Sequence, residues 1–247
     1  MMKDIYNGIQ AYFSAYSLLN TLNLWRFFAI PILISFILGI IIMITAYGFS
    51  DNIGDYIAGV WSFSWGKQTF TTISHVIGGL IVIAFGLVIF KHTLMAVASP
   101  FMTPISEKIE YYYTGNLRKP NVGLRAQTSV LARSIRLNVR NLIVEILWII
   151  PFFIFSFIPV IGIIFPILIF LVQAYYAGFG SMDYTLERYF PYKQSVAFVR
   201  KHRGLAIGNG IVFMLILLIP VIGILIVLPL SVTASTVTTL KKLHPPS

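Results

Sequence analysis

The sequence predicts an all-α integral membrane protein, and three observations carry that prediction. Of 247 residues, 57% are hydrophobic and 11% charged, where soluble domains carry about a quarter charged. The apolar residues come in runs long enough to cross a bilayer, without alternating polar positions. The chain also repeats one phrase, Ile-Pro-Val-Ile-Gly, at 158–162 and 219–223, each time inside an apolar run. A single membrane domain over residues 1–247 is expected. There is no cysteine, which excludes disulfides and thiolate metal sites. The net charge of +10 fits a membrane chain whose basic residues mark the cytoplasmic side and meet anionic headgroups. No nucleic-acid partner is expected.

Residues 1–23 place Ile9, Tyr12, Phe13 and Tyr16 at helical spacing, which predicts an amphipathic helix along the membrane surface. The first apolar run starts later and is too long for a signal-peptide core. Two spanning helices are expected at 24–49 and 70–98. The apolar part of the first, 27–47, has 21 residues, about 31 Å of helix against a hydrocarbon core of about 30 Å. Pro31 falls in its first turns, where a missing donor does least harm. Lys91 and His92, near the far end of the second, are expected to extend toward the headgroups. The connection between the two carries Asp51, Asp55, Trp61, Trp65 and Lys67, as a short interfacial loop would.

The chain then turns basic. Residues 99–140 hold Lys108, Arg118, Lys119, Arg125, Arg133, Arg136 and Arg140, the last three on one helical face. A second basic segment, 183–204, holds Arg188, Lys193, Arg200, Lys201 and Arg203, and the tail adds Lys241 and Lys242. Charge bias puts both segments and the tail in the cytoplasm. An even number of crossings or returns must then separate them.

That constraint bears on the two apolar segments at 141–182 and 205–240, each broken by the repeated phrase. A full crossing would expose Pro-Val-Ile-Gly to water on the far side, yet neither break carries a polar residue. The arm 205–219 has 15 residues, about 22 Å of helix, short of the core thickness. Two hairpins that turn around inside the membrane explain this best, with proline ending the inbound helix and glycine permitting the turn. Such tips need shelter in protein or a watery cavity. Two tight transmembrane hairpins, giving six crossings, are the alternative.

Catalysis finds no constellation. The four histidines are scattered and no acid stands at metal-ligand spacing to any of them, so neither enzyme nor cofactor nor metal is expected. Gly204 and Gly208 form a small-xxx-small pair, which indicates helix contact. Arg26, five residues before Pro31, is either an oxyanion ligand beside free backbone donors or an interfacial anchor. Glu145 is either a functional buried acid or an interfacial one paired with water, Arg136 or Arg140. The hydroxyl stripe Ser231, Thr233, Ser235, Thr236, Thr238 and Thr239 lines a polar path or lets helices approach.

"NLWRFFAIPIL" (23–33), "ASPFMTPISEKIE" (98–110), the paired "IPVIG" breaks and "YFPYKQSVAFVRKHR" (189–203), in this order, resemble the CysZ-type sulfate permeases, grouped with the etoposide-induced 2.4 membrane proteins. The resemblance implies two long crossing helices, two hairpins that penetrate partway and assembly into homo-oligomers. It also implies sulfate uptake across a bacterial inner membrane, feeding cysteine synthesis without ATP hydrolysis. The family's sulfate site is a glycine-hydrophobic-arginine-arginine stretch leading to a proline. Here Asn23 stands at the glycine, Leu24 at the hydrophobic position, Trp25 at the first arginine, and Arg26 and Pro31 match. The expected function is thus a channel or permease for a small oxyanion, sulfate first, drawn toward Arg26 and then between tips at Pro159, Gly162, Pro220 and Gly223. The competing expectation is a non-transporting scaffold whose basic helices grip anionic lipid.

Overall fold

The computed structural model describes residues 1–59, 67–116, 123–219 and 222–244, and every regular element among them is helical. Helices pair their own backbone groups, which a lipid-embedded chain requires. In chain order they are α1 (Met2–Thr21), α2 (Ala29–Ala58), α3 (Lys67–Val97), α4 (Ser99–Thr114), α5 (Leu124–Phe155), α6 (Ile164–Tyr189), α7 (Tyr192–Lys201), α8 (Arg203–Leu217) and α9 (Ile222–Leu243). Among the described residues, four helices are long and apolar enough to cross a membrane, or five if the bent pair α3–α4 is one span. The protein is an all-α integral membrane protein. Trp61, Trp65, Arg118, Lys119 and Pro220, all named from the sequence, lie outside the described residues.

The chain divides into two units, Phe36–Lys91 and the remainder. In the first, α2 runs on to Ala58, so Asp51 and Asp55 are helical where the sequence predicted a loop. His75 Nε2 lies 2.8 Å from Asp55 Oδ1, and Gly54 lets the backbone of His75 approach. The α2 residues Ile37, Ile40, Ile41, Met43 and Ile44 are exposed. An apolar face of this kind is stable only against lipid or another protein.

In the second unit α1 packs on α8 and α9. Its buried face is Gly8, Ala11, Tyr12, Ala15, Leu18 and Leu19, while Phe13 and Tyr16 point outward. Tyr12 thus parts from the aromatic face predicted for it, because its hydroxyl donates to Asn209 O at 2.8 Å. Gly204 and Gly208 face the Met1 and Ile5 carbonyls of α1, the helix contact their spacing indicated. The most extensive helix pairing, α6 with α8, is a seam of small residues. Gly178 meets the Ala206 carbonyl and Gly210 the Ala174 carbonyl, two reciprocal Ala-xxx-Gly steps that bring backbones together. The hydroxyl stripe of α9 is buried here. Ser231 bonds Ser181, Thr236 bonds Thr185 and Thr238 bonds Asn209, which favours its packing role.

α1 is tied to the end of α9 by Asp4 Oδ1, 2.8 Å from Lys242 Nζ. The hydrogen bond from Lys242 holds the Asp4 carboxyl below its ordinary value of 3.8. A depressed carboxylate adds stability above its unfolded pKa and loses it as pH falls through the lower folded value. Asp4→Asn is therefore expected to melt below wild type at about pH 7 and together with it at about pH 2. Thermal unfolding in detergent at the two pH values checks this.

α3 and α4 meet at 66°. Pro100 has no N–H for the Ala96 carbonyl, and Ser99 Oγ donates to that carbonyl at 2.9 Å instead. The bend turns α4 back over α5 and α6. Lys91 and His92 are buried where the sequence predicted tips reaching the headgroups. His92 Nε2 meets Glu145 Oε2 at 2.8 Å and its Nδ1 meets Asn138 Oδ1 at 3.2 Å. Glu145 is itself fully buried, with His92 as a partner the sequence did not point to.

Candidate functional site

The start of α2 is shaped by how α1 stops. Asn23 takes a left-handed conformation with φ 48°. Its N–H bonds the Asn20 carbonyl at 3.2 Å, and the Leu24 N–H bonds the Leu19 carbonyl at 2.9 Å. This pair closes a Schellman motif, in which glycine is favoured at the left-handed position and asparagine comes next. Asn23 therefore fills a backbone position that most often goes to glycine. Leu24 is buried beneath the turn, so its side chain anchors the loop and meets no solute.

Residues Trp25–Phe27 then form one 3-10 turn before α2. Trp25 Nε1 donates to Asn20 Oδ1 at 2.6 Å, and its ring packs against Tyr16 and Phe28. Trp25 is exposed as well, and Arg26 beside it stands exposed. Among the described residues, no acceptor pairs with the N–H groups of Trp25 and Arg26, as expected at a helix start. Pro31 is buried in the first turn of α2, where its absent donor breaks nothing.

α4 supplies a group that reading the sequence missed. Lys108 Nζ lies 5.2 Å from the centre of the Phe27 ring, and Arg26 Cζ lies 5.0 Å from the same centre. Both distances suit cation–π contact. Arg26 is close enough to act on the Lys108 charge. Neither cation has a hydrogen-bond or ion-pair partner among the described residues. Beside them is a cleft of about 720 Å³ lined by Leu22, Pro104, Glu107, Lys108, Tyr111 and Tyr112. Two like charges around one ring repel each other, and an anion between them relieves that repulsion. In the sequence Lys108 was one lysine in a basic stretch. The signal that could have singled it out is its place in "PISEKIE", within a segment that carries the family resemblance.

α4 is held in place from its opposite face. Arg188 Nε donates to Glu110 Oε2 at 2.6 Å with both side chains 1% exposed. The same guanidinium donates to Ser106 Oγ and the Tyr184 carbonyl, and Tyr189 donates to Glu110 Oε1. Thr103 donates to Glu187 nearby. Two further arginines of the basic stretch, Arg133 and Arg136, are engaged with neighbouring helices. Arg133 forks onto Asp183 and reaches the Phe190 carbonyl and Ser195, while Arg136 covers the Tyr192 ring. The basic face expected to grip headgroups is thus largely spent on α6 and α7, which removes the main support for a lipid-gripping scaffold.

The hairpin tips form separately. In the first, α5 ends at Phe155, four residues before Pro159, so proline does not end the inbound helix as predicted. The Gly162 N–H bonds the Ile158 carbonyl at 2.8 Å. The positive φ, 69°, belongs to Val160 and not to glycine. Gly162 is needed for a different reason, because its Cα lies against the Ser156 carbonyl where no Cβ fits. The second tip repeats both contacts, with the Gly223 N–H on the Ile219 carbonyl at 3.1 Å and the glycine against Ile216 O. Neither Pro159, Gly162 nor Gly223 lines the cleft at Lys108.

The chain is similar to known proteins over most of its length. The family profile described as sulfate transporter CysZ/etoposide-induced protein 2.4 matches residues 11–227. A sulfate transporter CysZ of Pseudomonas fluorescens (strain Pf0-1) is 27% identical over 168 residues, 66% of this chain and 67% of that protein. One of Pseudomonas syringae pv. tomato is 27% identical over 153 residues, 61% of this chain and 60% of that protein, so the match spans about three fifths of that relative's length. With the profile covering most of its length, the chain belongs to the sulfate transporter CysZ/etoposide-induced protein 2.4 family.

Proposed function

We propose that this protein passes a small oxyanion, sulfate first, across a bacterial inner membrane into the cytoplasm, with Arg26 and Lys108 as its receiving cations. The observation that carries the reading is their convergence on Phe27, next to two backbone donors without acceptors at the start of α2. Guanidinium, ammonium and N–H are all donors, so together they fit an acceptor-only dianion. Family membership supports sulfate over other oxyanions of that charge, and the relatives' name supports transport. The product serves cysteine synthesis, and the working form is a homo-oligomer in a bilayer with anionic headgroups. Uptake of radiolabelled sulfate by proteoliposomes tests the reading directly. Vesicles no more permeable than protein-free ones would end it.

In this reading the two hairpins enter from the cytoplasmic side and return without crossing. Support comes from α8, whose 15 residues give about 22 Å of helix. Val160 supports it too, being 94% exposed in the isolated chain with apolar neighbours throughout the tip. Val160→Cys should stay unlabelled by a membrane-impermeant maleimide added outside intact cells, and react in detergent. Rapid labelling from outside would make the first hairpin two full crossings.

A further inference from the structure

Away from the Arg26 cleft, a second cleft of about 430 Å³ opens between α5, α6 and the α7–α8 junction. Its size suits a small-molecule site, and its chemistry changes along its length. Phe152 and Leu168, the lining residues nearest the tip of the first hairpin, mark an apolar end. Trp148 continues the wall, and Tyr175 follows, about 10 Å along α6 from Leu168. The far end is Arg200 and Arg203, and no carboxylate lines the cleft. Neither arginine has a hydrogen-bond or ion-pair partner among the described residues. Both are close enough, with Arg140, to act on the charge of the Tyr175 phenol. They belong to the basic segment that charge bias assigns to the cytoplasmic face, the depth of inner-leaflet phosphates.

We propose that this cleft holds one anionic phospholipid, its phosphodiester between Arg200 and Arg203 and one acyl chain along Trp148, Phe152 and Leu168. Charge complementarity selects the occupant. A free inorganic anion would leave the apolar length of the cleft unused, and a zwitterionic lipid would bring its own cation toward two unpaired guanidiniums. Arginine forks bind phosphate oxygens two at a time, and the apolar wall holds the chain as the bilayer would. The site is independent of the sulfate reading, since it shares no residue with the Arg26 cleft.

Native mass spectrometry of the full chain in detergent, titrated with phosphatidylglycerol or phosphatidylcholine of identical acyl chains, tests this without measuring transport. One phosphatidylglycerol should remain bound at about tenfold lower lipid concentration than phosphatidylcholine. Arg200→Gln with Arg203→Gln should erase that preference, and the double lysine variant should keep part of it. Leu168→Trp, which fills the apolar end with both arginines intact, should release the lipid. Equal retention of the two lipids would overturn the proposal, as would a preference untouched by the glutamine pair. Displacement of the lipid by sodium sulfate, with Leu168→Trp silent, would make this an inorganic-anion site and overturn it equally. Should the glutamine pair fail to fold, the lysine pair and Leu168→Trp still decide.

Discussion

Arg26→Ala is expected to raise the sulfate concentration for half-maximal uptake by about tenfold to a hundredfold. A hydrogen bond to a charged group contributes about 1.5–3 kcal/mol, and each 1.4 kcal/mol is about a factor of ten. The side chain is exposed and, among the described residues, its ring contact is with its neighbour Phe27, so thermal stability in detergent should stay unchanged. Lys108→Gln should weaken uptake by about tenfold at equal stability, because one unit of charge is lost at the same distance from the ring. If the two cations share one anion, the double variant will lose less than the product of the single effects, since removing either already spoils the site. Lys108→Arg keeps the charge and should retain most uptake. A full multiplicative loss in the double variant would place the two cations at separate steps. An inert Lys108→Gln would leave Arg26 acting with backbone donors alone.

Arg188→Leu should produce the largest loss of stability. It would leave the Glu110 carboxylate buried at 1% exposure without the Arg188 guanidinium that neutralises it. Breaking a buried ion pair from one side costs about 3–5 kcal/mol, a large share of the 5–15 kcal/mol that holds typical domains together. Glu110→Leu alone strands the guanidinium and should be similarly damaging. The double change to leucine removes both charges and should recover much of the loss. Unfolding midpoints of the four proteins in one detergent form the cycle. Additive losses would mean that the pair is not coupled. The same cycle read by uptake links packing to function, because α4 carries Glu110 on one face and Lys108 on another. A loosened α4 should raise the half-saturating sulfate concentration by about as much as Lys108→Gln does.

What the sequence disclosed follows from the range of the forces involved. Composition and run length are summed over twenty residues at a time, so membrane class and the α2 helix were readable directly. Asn23, Leu24 and Trp25 were singled out only through the family resemblance, and the residues alone left Arg26 open between oxyanion ligand and interfacial anchor. What stayed hidden were partners distant in sequence. His92 and Glu145 are 53 residues apart, and Arg188 and Glu110 are 78 apart. Periodicity places each on a helical face without saying what the face meets. The tip glycines were recognised as necessary for the wrong reason. A glycine in sequence advertises conformational freedom, whereas these two are required by a carbonyl six or seven residues back. Val160 takes the unusual φ, although β-branched residues rarely do, so composition could not have pointed to it.

The reciprocal Ala-xxx-Gly contact between α6 and α8 has a mechanical consequence. Main chain touching main chain has no side-chain rotamers to rearrange, so the helices can neither slide nor part by small adjustments. The two hairpins should therefore travel as one rigid piece, and a permeating ion cannot be admitted by prying them open along that line. Whatever yields during a transport cycle must do so at their lipid-facing flanks, at their ends, or between copies of the chain.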